Sequence, residues 1–346
     1  MSTTTGMSRR HRLEQQRHVV AVCVAAATLT ATLVGWAPSS GAAWAIVIAS
    51  LAVGLPHGAL DVVIGPRLTR PRRFFGIYLT TALVIVLAWL ALPALGVVAF
   101  FTSSWFHFAR GDAVHHRGLA GAGDLVGVST AGCAIGLPLM LHAGIVTPVL
   151  SDLMLGTAAL TSDQVALWGS IIAVPALVAG VLASIAALRT LRYEAILEIA
   201  IIAAVAATVH PLVSFAIYFA LWHAPRHLIT LDIDRRAWFR TVSATAATLL
   251  AGACVWWLIE PASPAVAQIV FIGLAALTGP HLVLTESLRS RTMPLVGLRS
   301  GPTVHRRGGR HGLSSPTRHR RHAHTRSRSC RPGRNPGWPR SARLDR

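Results

Sequence analysis

The stretch Phe215–Leu228, FAIYFALWHAPRHL, sets two histidines, His223 and His227, four residues apart in an otherwise apolar run. On a helix that spacing stacks both imidazoles on one face, close enough to hold a single metal ion. Pro225 lies between them, so the residue four back loses its amide partner and the helix should kink there. Ionisable groups inside a bilayer are costly and usually functional, which favours a site over an accident of composition. The bland alternative is a pair of neutral histidines bonded to neighbouring carbonyls.

Three other segments repeat the combination of histidine with helix-breaking residues. They read GLPHGALD from Gly54 to Asp61, SSWFHFARGD from Ser103 to Asp112, and LTGPHLVLTE from Leu277 to Glu286. Pro56 and Pro280 directly precede His57 and His281. Such recurrence suggests broken helices lining a buried cavity, where freed carbonyls find partners. Asp61, Asp112 and Glu286 follow their histidines by four or five residues. A carboxylate one turn along can accept the second ring N–H of a ligating imidazole, and these three are the candidates for that supporting role. The competing reading of Asp112 and Glu286 is that they mark the interface and pair with arginine.

The elements that must position these groups are membrane helices. Of 346 residues, 53% are hydrophobic and only 13% charged, which points to an all-α, polytopic transmembrane bundle rather than a soluble fold. Apolar runs fall at about 19–37, 42–64, 74–91, 93–110, 124–143, 165–187, 195–209, 211–231, 241–259 and 265–286, about ten spans with a range of eight to ten. The first run is long enough to be a retained helix rather than a signal peptide. Residues 144–164 are expected as the longest external connection. Connections after even-numbered spans hold Arg67, Arg70, Arg72, Arg73, Arg110, Arg117, Arg189, Arg192, Arg235, Arg236 and Arg240, and those after odd-numbered spans hold none. The positive-inside rule then makes this a multi-pass protein of the cell membrane with both termini cytoplasmic.

That orientation places His57, His107, His223, His227 and His281 within roughly 5–12 Å of one membrane face, at about 1.5 Å of rise per residue. Five at one depth, on four spans, read as one site. His142 and His210 fall at the external face as polar interface residues, and His115 and His116 read as solvated loop residues. Four scattered cysteines without a CxxC pair indicate neither a disulfide framework nor a thiolate site.

The expected organisation is a basic cytoplasmic N-terminus over 1–18, a transmembrane catalytic domain over 19–286 and a disordered tail over 287–346. The chain has no lysine, and half of its 32 arginines lie after Glu286. The tail cannot bury enough surface to fold. A polybasic stretch of this kind associates with anionic lipid, or is not a selected sequence at all. Without a recognition module any nucleic-acid binding would be non-specific, so no specific nucleic-acid partner is expected.

Several neutral imidazoles around one ion, without thiolate, suit iron, copper or zinc. A site open to the lipid phase meets apolar substrates and dissolved oxygen, which an iron oxygenase acting on a lipid would use. GLPHGALD, the run Ser104 to Asp112, YFALWHAPRHL and the late PHLVLTE together resemble the Brp/Blh family, over roughly residues 45–286. The resemblance implies beta-carotene 15,15'-dioxygenase activity: cleavage of beta-carotene by O2 at the central double bond into two retinal molecules, at a non-haem iron, Fe(2+). It implies iron ligands at His57, His107, His223 and His227, with His281 as a ligand or a neighbour and a functional link to a retinal-binding rhodopsin. Tyr218 and Trp222 are candidates to line a tunnel for the polyene. Two departures stand out. The segment after His107 is FARGD, with Arg110 where HFGE would be expected, and the chain continues well past its last span. The alternatives are another membrane iron oxygenase or hydroxylase, which would want more HxxxH-type clusters, and a metal or proton transporter, which would spread polar groups through the full membrane depth.

Overall fold

Proline decides where this apolar chain breaks into helices. The computed structural model describes residues 40–116, 119, 121–229, 234–259 and 263–297. Every regular element among them is helical: α1 (Ser40–Gly54), α2 (Pro56–Ala59), α3 (Asp61–Leu68), α4 (Pro71–Ala91), α5 (Pro93–Ala113), a 3-10 turn (Val114–His116), α6 (Gly123–Leu141), α7 (Ala143–Leu153), α8 (Ser162–Arg189), α9 (Tyr193–Thr208), α10 (Pro211–Ile217), a π segment (Tyr218–His223), α11 (Ala224–Ile229), α12 (Arg235–Leu258) and α13 (Ser263–Gly297). Helices α2, α4, α5 and α10 begin on a proline, where its missing N–H and fixed φ carry no penalty.

The helical membrane bundle is as expected, but the count differs. Six helices among the described residues are long and apolar enough to cross a membrane: Gly41–Leu68, Pro71–Ala91, Gly123–Leu141, Ser162–Arg189, Arg235–Leu258 and Val266–Ser290. The expected spans at 93–110, 195–209 and, as far as residue 229, 211–231 are also helical, but they fall short for visible reasons. Helix α5 ends in the polar run SSWFHFARGD, α9 has 16 residues, and 211–229 is divided by the π segment. The span expected at 19–37 lies outside the described residues, as does the N-terminal segment 1–18. The expected connection 144–164 contains α7, whose Leu150 and Leu153 are buried. At the other end, α13 continues past Glu286 to Gly297, where the tail was expected to have begun. Arg289 holds this extension, donating to the Glu286 carboxylate at 2.8 Å and to the Arg110 carbonyl at 3.0 Å.

The packing is inside-out relative to a soluble bundle. Helix α8, opened by a Thr161–Gln164 capping box, buries Gly169, Ala173, Ala176, Ala179, Gly180, Ala183 and Ala187 while exposing Leu167, Ile171, Val174, Val178 and Val181. Lipid offers large apolar side chains as good an environment as the interior does, so contact between helices is won by small residues that let backbones approach. Its partner α6, the most extensive packing in the bundle, meets α8 at Gly136, where an added Cβ would lie 2.5 Å from the Ala173 amide nitrogen.

Candidate metal centre

Three of the five histidines of the site, His57, His223 and His227, are delivered by local breaks in a helix. The turns at Leu55 and Leu60 isolate α2, PHGA, as a single helical turn. There the His57 Nδ1–H donates to the Gly54 carbonyl at 2.5 Å, which fixes the tautomer and leaves Nε2 with its lone pair. His223 closes the π segment two residues before Pro225, and His227 sits one turn on in α11. Pro225 has no N–H to offer the Leu221 carbonyl, and the widened turn relieves that loss where the kink was expected. His107 comes from α5 and His281 from α13.

The five rings converge. His57, His107, His223 and His281 are buried side chains, and eight pairs among the five imidazoles have centroids between 4.6 and 6.3 Å apart. His57, His107 and His223 each offer a nitrogen within 4.8 Å of the others, a group that could hold a metal ion. The Nε2 atoms of His107 and His223 lie 3.3 Å apart, the spacing of adjacent nitrogens each about 2.1 Å from one ion. Two further observations fit a bound metal. Nε2 of His281 is buried without a hydrogen-bond partner among the described residues, while its Nδ1–H donates to both Asp61 oxygens at 2.9 Å. Gly111 forms a floor that only glycine permits: an added Cβ would lie 2.5 Å from His227 Nε2 and 3.0 Å from His223 Cε1.

The carboxylates are placed differently from the expectation of one turn along the same helix. His57 spends its Nδ1–H on the Gly54 carbonyl, so Asp61 serves His281 from across the bundle instead. Asp112 lies 4.0 Å from Nδ1 of His223 rather than beside His107, and accepts from Thr130 at 2.8 Å and from the Tyr218 hydroxyl at 3.0 Å. Glu286 pairs with Arg110 at 3.3 Å and with Arg289 at 2.8 Å, at the half-exposed rim. Arg110, the departure in FARGD, is therefore accounted for by this ion pair.

Behind Asp112 runs a buried polar chain of which the sequence reading named only part. Arg226 lies 3.9 Å from Asp112 and 2.7 Å from Glu198, and His116 donates to Glu198 at 2.8 Å. His116, read as solvated, is buried at 1% exposure. Glu198 could have been noticed as the acid inside the apolar run 195–209, and Arg226 as the charge inside HxxRH. Tyr218 and Trp222 line neither of the two apolar cavities near the site. Tyr218 is spent on Asp112, and Trp222 carries the Arg226 guanidinium 4.0 Å above its ring. His142, donating to the Ala207 carbonyl at 3.0 Å, and His210 stay outside the cluster.

A membrane bundle with five convergent histidines is the setting in which the comparisons with known proteins fall. The family model described as Beta-carotene 15,15'-dioxygenase matches residues 48–289, and the chain belongs to that family of enzymes. The match contains all five histidines together with Asp61, Asp112, Glu198 and Arg226. The chain is 29% identical over 267 residues to the Beta-carotene 15,15'-dioxygenase of uncultured marine bacterium 66A03, covering 70% of this chain and 92% of that relative. No solved structure matches the chain.

Proposed function

We propose that this protein cleaves the central double bond of beta-carotene with O2 to give two retinal molecules, at an iron ion, Fe(2+), held by His57, His107, His223 and His227. The observation that carries the reading is the convergence of imidazoles from four separate helical segments in a chain of this family. Thiolates are absent from the cluster and its carboxylates stand behind imidazoles, a donor set suited to iron in an oxygenase. Bound iron would supply the activation of O2 that a polyene double bond does not meet unaided.

The chain's own residues do the rest. His281 stands beside the four ligands as a further nitrogen donor, its ring oriented by Asp61. Asp112 faces His223 from behind and is itself held by Thr130 and Tyr218. Phe108, 4.4 Å from the His223 ring, and Phe219, 5.5 Å from the His57 ring, give the cluster an apolar rim. That rim excludes water and accepts the flat face of a conjugated chain. The cleavage balances without another reductant: the carbon–carbon double bond and the O–O bond break, and each carbon takes one oxygen as an aldehyde. The arginines at one end of the helices argue for a cytoplasmic placement of that end and of both termini, as the positive-inside rule requires.

Expression in cells that accumulate beta-carotene tests the reading. The full chain should bleach their colour and yield retinal, and His223→Ala should abolish both while the protein remains in the membrane. Persistent colour with well-expressed wild-type protein would refute it.

A further inference from the structure

Two apolar cavities adjoin the histidine cluster, and Phe100, Ser104, Phe108 and Phe215 line both. The smaller, of about 220 Å³, has His57, His107 and His281 in its wall. The larger, of about 290 Å³, has none of the five site histidines; its wall includes Trp44, His210 and Phe271. These three residues precede His57, His223 and His281 in chain order on segments that run toward the cluster. At about 1.5 Å of rise per residue the larger cavity therefore extends roughly 15–20 Å from the cluster toward the opposite membrane face.

A carotenoid is about as long as the hydrocarbon core is thick, about 30 Å, and cutting its middle requires room for an arm on each side of the metal. Each cavity alone is at or below the roughly 300 Å³ at which pockets for much smaller ligands begin. A run of rings connects them. Phe219 packs 5.5 Å from His57 and 5.7 Å from Phe215; Phe215 lies 5.7 Å from Phe271, and Phe271 lies 6.2 Å from Trp44. Aromatic faces along that line suit a planar conjugated chain. Within the shared wall Ser104 is the one small side chain among three phenylalanines, and so the least obstructed place for a chain to pass between the two spaces.

We propose that the cavity walled by Trp44, Phe215 and Phe271 is the binding site for one arm of the carotenoid, threaded past Ser104, while the other arm lies in the cavity that contains His57, His107 and His281. This assignment rests on the carotenoid-cleaving reading and adds where each half of the substrate sits. The two cavities are comparable in volume, and Ser104 in their shared wall stands one turn before His107.

The test fills the larger cavity from two of its walls, at residues that do not line the smaller one. Ala134→Phe projects a ring into it from α6, and Val146→Phe does so from α7, a second variant in case the first fails to fold. Two ligands are compared on the detergent-solubilised full chain: beta-carotene, and an apocarotenal whose second arm ends a few carbons past the central bond. Binding is read anaerobically from the ligand's visible absorption, and cleavage separately under air. Either variant should weaken beta-carotene binding by about tenfold or more and leave the apocarotenal within about twofold. Equal losses for both ligands, or no loss for either, in folded protein would overturn the assignment. If binding follows the expected pattern but the wild type cleaves neither ligand, the arm site stands and the cleavage reading falls.

Discussion

Gly111→Ala is the smallest change that should disable the metal centre. The added Cβ would lie 2.5 Å from Nε2 of His227 and 3.0 Å from Cε1 of His223, where comfortable contact between non-bonded atoms begins at about 3.5 Å. One ring must therefore retreat by about 1 Å, or α11 must shift with it. Metal–ligand distances tolerate only about 0.2 Å, so His227 cannot retreat that far and remain a ligand. Misplacement by about 1 Å costs roughly a hundredfold in rate, and overpacking adds about 1–3 kcal/mol of destabilisation. Purified protein loaded with iron and analysed by plasma mass spectrometry should show Gly111→Ala well below the wild-type iron content, with retinal formation reduced about a hundredfold or more. The control is Gly58→Ala, one residue from His57, whose Cβ would meet nothing within 4 Å; it should keep its iron. Wild-type iron content and rate in Gly111→Ala would refute both the ligand role of His227 and the tightness of this floor.

Two other substitutions probe the layer behind the histidines. Asp61→Asn keeps an oxygen that can accept the His281 Nδ1–H but removes the charge, and should weaken iron binding by about 10- to 100-fold in a competition titration; unchanged affinity would mean that Asp61 only shapes the cavity. Glu198→Gln leaves the buried Arg226 without the carboxylate now 2.7 Å away. It should lower stability by about 3–5 kcal/mol, visible as a reduced midpoint of thermal unfolding in detergent, and an unchanged midpoint would show that Arg226 is satisfied elsewhere.

The convergence of the five histidines could be read from the sequence because depth along a membrane helix follows directly from residue count. His57, His107, His223, His227 and His281 stand at matching distances from the ends of their apolar runs. Partner assignment could not be read in the same way, because it depends on rotation about each helix axis. Asp61 illustrates the difference: spacing along one helix paired it with His57, but the hydrogen bond from His57 to Gly54 frees it for His281. By sequence His116 stands in a cytoplasmic loop with Arg110 and Arg117, the setting of a solvated residue. It is buried because the 3-10 turn after α5 brings its ring to Glu198. Six of the expected spans are met among the described residues, and two of the segments that fall short, α5 and 211–229, carry His107, His223 and His227.

The placement of charge around the cluster follows from its surroundings. Neutral imidazoles leave the charge of a dipositive ion undiminished, and in a low-dielectric interior such a charge must be balanced close by. Asp61 does so through His281 on one side, and Asp112 stands 4.0 Å from His223 on the other. Each carboxylate is set one ring back from the point where the imidazoles converge. Direct carboxylate ligands would balance the charge equally well but would occupy positions around the metal. Setting them one ring back leaves the first layer to nitrogen donors and to whatever enters from the apolar cavities. Arg226 and Glu198 then form a further pair that is neutral in itself, and it can hold Asp112 in place without disturbing that balance. The order of layers, imidazole inside carboxylate inside ion pair, would let a charged metal sit in an apolar bundle and leave the side toward the apolar cavities open.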